Sequence, residues 1–193
     1  MVSRHILFSV LDYLKESAFR FKLRMRPKSM PMKLQTSVLP PLPPNKTVTQ
    51  VFADMLSYLM NCAEKFIQDS HPTISRNWSS LLHDATFVIA HPNGWEGAQQ
   101  SKMKRAAAIA GLVPNTLEGK ARVVFVTEGE ASLHFCVKGG FVDESQRGFI
   151  VADLGGGTLD LSAYRVKGVV PLRVEESAPV KCGLFSGSVS QST

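Results

Sequence analysis

The sequence lacks most of the features that assign a chain quickly. Its three cysteines, Cys62, Cys136 and Cys182, lie far apart with no CxxC pair, so neither a disulfide framework nor a zinc site is indicated. A reducing, cytoplasmic setting is the default for such a composition. No apolar run approaches the roughly 18 residues of a membrane span. The stretch Ile6–Leu14 is broken by Ser9 and Asp12, so neither a transmembrane helix nor a secretory signal is expected. There is no internal repeat, no GxxxxGK[ST] loop and no GxGxxG opening a helix, which removes the P-loop and dinucleotide-fold readings. With 44% hydrophobic and 20% charged residues over 193 positions, a wholly disordered chain is excluded as well.

The net charge of +6 is unevenly placed. Residues 1–53 carry nine Lys or Arg against two Asp or Glu, a balance of +7, and the remainder is −1. Arg20, Lys22, Arg24 and Arg26 alternate with Phe21, Leu23 and Met25, which predicts an amphipathic strand with one solvated face. The competing reading is a polyanion-binding patch. Nothing else in the sequence resembles nucleic-acid recognition, so no specific nucleic acid and no membrane is expected as a partner.

Prolines at 27, 31, 40, 41, 43 and 44 mark residues 27–46 as a connector, because proline lacks the amide hydrogen that helices and ladders use. Thr47 with Gln50 matches a capping box. Val48, Val51, Phe52, Met55, Leu56, Leu59, Met60, Ala63, Phe66 and Ile67 then recur at helical spacing, which predicts a helix with that stripe in the core. Residues 85–90 and 122–127 are short β-branched runs, read as buried strands. Between them a helix is expected from about Glu96 to Ala110, ended by Gly111, with Lys102, Lys104 and Arg105 on its solvated side. A short helix over 128–137 closes on Gly139-Gly140. Strands over 149–154, 159–166 and 169–175 follow, joined by tight turns. The order is a βαβ unit running into an antiparallel meander, an α/β fold with a mixed sheet. Three segments are expected: an N-terminal strand and linker (1–46), a helical and βαβ region (47–147), and a meander (148–193).

The segment richest in chemistry is Asp153-Leu-Gly155-Gly156-Gly157-Thr158-Leu-Asp160. A strand delivers an aspartate to its end, three glycines allow a tight turn with amides close to an anion, and Thr158 adds a hydroxyl. Asp153 and Asp160 flank the turn on two strands, so both carboxylates are expected to face one place, suited to a hydrated Mg2+ beside phosphate. A ligand-free glycine hairpin is the simpler alternative and would account for the glycines but not the paired aspartates.

These residues resemble the nucleotide-binding domain of the seventy-kilodalton heat-shock chaperones, within the actin-like ATPase superfamily. The loop from Asp153 to Asp160 is similar to that family's second phosphate motif. Ile89-Ala-His-Pro92, Gln99 and Ala108-Ile-Ala-Gly111-Leu resemble its strand, proline and helix, and Thr127-Glu128-Gly-Glu130-Ala131 resembles the motif of its catalytic glutamate. The wording His91-Pro-Asn-Gly-Trp95-Glu-Gly97 is closer to the divergent branch of fungi and of the animal heat-shock protein A12 type. The likeness is strong over about 85–166, weaker over 45–84 and 167–190, and nearly absent over the first 26 residues.

The resemblance implies a partial actin-like (ribonuclease H-like) ATPase fold, with ATP or ADP and Mg2+ as ligands. It implies that Glu128 orients the attacking water, that Asp153 and Asp160 arrange the metal, that Gly155, Gly156 and Gly157 offer amides to phosphate, and that Thr158 bonds a phosphate oxygen. The family places nucleotide between two Asp-x-Gly hairpins, and this sequence has one. The expectation is therefore a fragment with weak or no ATPase activity alone, whose partners are nucleotide and other proteins or a complementary lobe. A non-catalytic interaction module built on the half-fold is the alternative.

Overall fold

Thr47 stands in extended backbone, accepts the Gln50 N–H through its hydroxyl, and donates its own N–H to Gln50 Oε1 at 2.8 Å. That closed capping box starts helix α1, Val48–Ser70. The approach to it is a turn with Pro44 second and Asn45 third, Asn45 at φ 61, closed by the Lys46 N–H on the Pro43 carbonyl at 3.1 Å. The computed structural model describes residues 21–28, 39, 41–142, 145, 147–154, 158–169 and 172–184, with backbone alone at 158, 159, 169, 172 and 182–184. Gly155, Gly156 and Gly157 lie outside the described residues.

The chain divides into two compact units, one built from residues 21–28, 41–89 and 96–124, the other from 90–95 and 125–184. In the first, residues 21–25 form a 3-10 helix rather than the strand their alternation predicts. The burial alternates as expected, with Phe21, Leu23 and Met25 inside. No neighbouring strand among the described residues offers a ladder, however, and Pro27 limits extension. The cations serve backbone: Arg24 Nη2 reaches the Leu39 carbonyl and Arg26 Nη1 the Leu23 carbonyl, both at 3.1 Å. Phe21 meets the Phe52 ring edge-on at a centroid distance of 5.9 Å, fixing the 3-10 helix to α1.

Only the first turns of α1 are core, with Val51, Phe52 and Ala53 buried. The expected stripe does not stay inside, since Leu59 is 51% and Phe66 64% exposed. Helical spacing aligns these residues on one face, but the described chain supplies packing partners only near the start of that face, where α1 meets the 3-10 helix and the helix α4 described below. Two short helices, α2 (Pro72–Ser75) and α3 (Trp78–Asp84), follow. The Arg122 guanidinium hydrogen-bonds the carbonyls of Leu82 and Ala85 at the end of α3, placing a cation where the helix dipole is negative.

Strands β1 (Phe87–His91) and β2 (Val123–Thr127) pair in parallel, with helices α4 (Ala98–Ile109) and α5 (Leu117–Ala121) in the crossover, so the expected βαβ unit is present. The strands are less buried than their apolar runs suggest: Val88 is 65% and Val124 41% exposed. A continuous apolar run is buried on both faces only when both are covered. α4 buries Gln99, Met103, Ala106 and Ala107, and Gly111 at φ 78 ends it. The Gly111 and Leu112 amides bond the Ala108 and Ala107 carbonyls, the Schellman pattern.

In the second unit, helix α6 (Glu128–Lys138) precedes strands β3 (Gly148–Leu154), β4 (Thr158–Val169) and β5 (Leu172–Leu184), which form the expected antiparallel meander in the order β3-β4-β5. Among the described residues these are two separate sheets, not one mixed sheet. α6 ends as α4 does. Gly140 sits at φ 71, its amide reaches Val137, the Phe141 amide reaches Cys136, and Phe141 stacks on Phe135. Among the described residues, no helix is long and apolar enough to cross a membrane.

Candidate functional site

The register of the meander determines what its turn can do. Asp153 lies directly opposite Asp160, Val151 opposite Ser162, and Phe149 opposite Tyr164. Residues opposed in an antiparallel pair project from the same face with Cβ atoms about 4.5–5.5 Å apart. Both aspartates therefore share one face, as the sequence suggested, and they do so with Ser162 and Tyr164. That face is the inner one: Asp160 is 2%, Ser162 1% and Tyr164 9% exposed. The apolar face is outward, with Ile150 71%, Leu154 78% and Leu161 37% exposed. On β4 this face is polar and buried, and Phe149, Val151 and Asp153 of β3 share it, half-buried.

The start of α6 is brought against this face. Thr127 accepts the Glu130 amide at 3.1 Å and donates its own N–H to Glu130 Oε2 at 3.1 Å, a second capping box that begins the helix at Glu128. Next to Glu128 is Gly129, which is buried. A Cβ built there would stand 2.6 Å from Ser162 Oγ and 3.5 Å from the Tyr164 hydroxyl. Real Cβ atoms do not approach that closely, so α6 meets β4 nearer than any other residue type would permit. Ser162 is two positions along β4 from Asp160 on the same face. Glu128 precedes Gly129 in the chain, and Asp153 and Asp160 lie opposite one another on the face of the sheet that Gly129 meets.

Behind them lies a small polar cluster. Asn93, 8% exposed, directs Nδ2 toward Ser162 Oγ at 3.5 Å. Burial raises the Tyr164 pKa above its ordinary value; the hydrogen bond from Ser162 opposes that, and the charges of Glu176 and Glu130 add to it. His91 is buried, packs against Phe125 at a centroid distance of 5.7 Å, and donates Nδ1–H to the Pro92 carbonyl at 2.9 Å, which is a structural role. His134 and Lys102 are exposed, as is Arg105. A concavity of about 450 Å3 runs between α6 and the β3 edge, lined on one side by Ser132 and Cys136 and on the other by residues 149–154, Asp153 among them.

Thr158 is the first residue of β4, paired in register with Leu184 of β5. The glycines of the turn, Gly155, Gly156 and Gly157, lie outside the described residues. Sequence reasoning overlooked three contributors. The Thr127–Glu130 capping box carried a readable T-x-x-E signal. Ser162 was legible as an alternate residue after Asp160. The close approach of Gly129 had no local signal, because it depends on a strand more than thirty positions away. No protein-family model matches the sequence, and no curated protein matches it.

Proposed function

We propose that residues 90–95 and 125–184 carry one phosphate hairpin and the water-orienting carboxylate of an ATP-binding, heat-shock-type, chaperone-like ATPase of the actin-like superfamily. The observation that supports it most is the register of Asp153 against Asp160 on a buried polar face beside the start of α6. Opposed carboxylates repel, and a cation between them removes that cost. Their hard oxygens suit Mg2+, which takes one or two carboxylates, keeps several waters and travels with phosphate. Among the described residues no group of three His, Cys, Asp or Glu converges to hold a metal. Bound Mg2+ supplies charge neutralisation for ATP or ADP phosphates. In this reading Asp153 and Asp160 hold the ion through its waters, Gly155, Gly156 and Gly157 donate amides, Thr158 bonds a phosphate oxygen, and Glu128 orients water.

The sequence has a single Asp-x-Gly hairpin, so phosphate is gripped from one side and water is not excluded. Binding is then weak, and hydrolysis by this chain alone is weak or absent. Isothermal calorimetry with Mg·ATP tests it: weak binding is expected, lost in Asp153→Ala. A micromolar or tighter dissociation constant contradicts the one-sided site.

A second reading is favoured by the exposed apolar residues Phe66, Ile150 and Leu154, at 64%, 71% and 78%. It is a non-catalytic module that binds other proteins through these surfaces. Light scattering decides, because a clean monomer that binds no apolar dye removes it.

A further inference from the structure

We propose that Gly129 is the positioning residue for Glu128: the direct seat of its backbone on the Ser162 hydroxyl sets the distance between the Glu128 carboxylate and the Asp153–Asp160 pair. The inference rests on the nucleotide reading above and deepens it.

The capping box at Thr127 and Glu130 determines where α6 begins, but not how near its first turn comes to the sheet. That nearness is set by what separates helix from strand at residue 129. The absence of a side chain there lets the backbone rest where a Cβ would be 2.6 Å from Ser162 Oγ. Ordinary contact begins near 3.4 Å, so a larger residue must displace either the Ser162 hydroxyl or the first turn by most of an ångström. Turning the Ser162 hydroxyl aside costs its contacts: it is 1% exposed, it hydrogen-bonds the Tyr164 hydroxyl, and Asn93 Nδ2 stands 3.5 Å away. The yielding element is therefore the helix start, and the side chain immediately before Gly129 is Glu128. A displacement of about 1 Å in a positioned group is enough to cost up to about a hundredfold in function.

The seat predicts a specific compensation. In Gly129→Ala the new methyl meets the Ser162 oxygen. In Gly129→Ala combined with Ser162→Ala that oxygen is gone, and the nearest remaining Ser162 atom, Cβ, is at 3.4 Å. The experiment is calorimetry of Mg·ATP binding to the full chain and the three variants, with thermal melting to show that each is folded. Expected are a loss of about tenfold in Gly129→Ala, about threefold in Ser162→Ala, and recovery to within about threefold of wild type in the double variant. A Gly129→Ala protein that binds as wild type does, or a folded double variant no better than Gly129→Ala, overturns the positioning role alone. If wild type binds no Mg·ATP, the nucleotide reading fails instead. Ultraviolet titration of Tyr164 then still shows whether Gly129→Ala disturbs Ser162, and the contact reduces to packing.

Discussion

Helices α1 and α6 begin in the same way and serve different ends. Each opens with a threonine whose hydroxyl takes the third amide and whose own amide is taken by the third side chain. After that shared start, α1 presents Val51, Phe52 and Ala53 to a core, whereas α6 presents a bare Gly129 to the polar residues of β4. A cap determines where a helix starts. What its first turn contains determines whether that start is anchored by apolar area or brought close enough for chemistry. α1 obtains stability from bulk, and α6 obtains proximity from the lack of it.

Substitutions separate the two cases. The largest effect is expected from Phe52→Ala, which removes a ring 5% exposed and in contact with Phe21; about 3–5 kcal/mol of stability should be lost in urea denaturation. Gly129→Ala should cost about 1–3 kcal/mol, the usual toll of overpacking. Thr47→Ala and Thr127→Ala should each cost about 1 kcal/mol, but only the second should also weaken Mg·ATP binding. Phe66→Ser, on the exposed part of α1, should change stability by no more than about 0.5 kcal/mol. A Phe66 effect as large as that of Phe52 would mean that the whole stripe is core after all.

A smaller effect reports on the α6 side through pH. The folded state holds the Tyr164 phenol above the ordinary tyrosine value of about 10. Its contribution to stability is therefore full below about pH 10 and is lost as pH rises through the raised folded value, because the unfolded chain gives up the proton first. Denaturation at pH 9 and at higher pH, compared with Tyr164→Phe, measures it. Tyr164→Phe should abolish that part of the alkaline loss.

Local rules were readable wherever a few neighbouring residues determine the outcome. The Thr47 cap, the Gly111 and Gly140 terminations, the parallel pair and the meander all follow from short patterns of this kind. So did the shared face of Asp153 and Asp160, because a hairpin between them forces the register. Coverage was not readable. Periodicity shows which residues of α1 share a face, and the runs at 85–90 and 122–127 show strand propensity. Neither says what lies opposite, and Leu59, Phe66, Val88 and Val124 proved exposed. The 3-10 helix at 21–25 failed for a related reason: alternation needs a partner strand to become one. The seat of Gly129 on Ser162 joins residues distant in sequence, and no local pattern encodes it.

Asp153 and Asp160, opposed on one face of the sheet, are proposed to hold a Mg2+–phosphate ligand. Thermal unfolding of wild type and Asp153→Asn, each with and without Mg·ATP, tests it most directly. At about ten times the dissociation constant a bound ligand stabilises by about 1.4 kcal/mol. Mg·ATP should raise the midpoint of wild type and leave that of Asp153→Asn unmoved; an equal rise in both proteins would contradict the account.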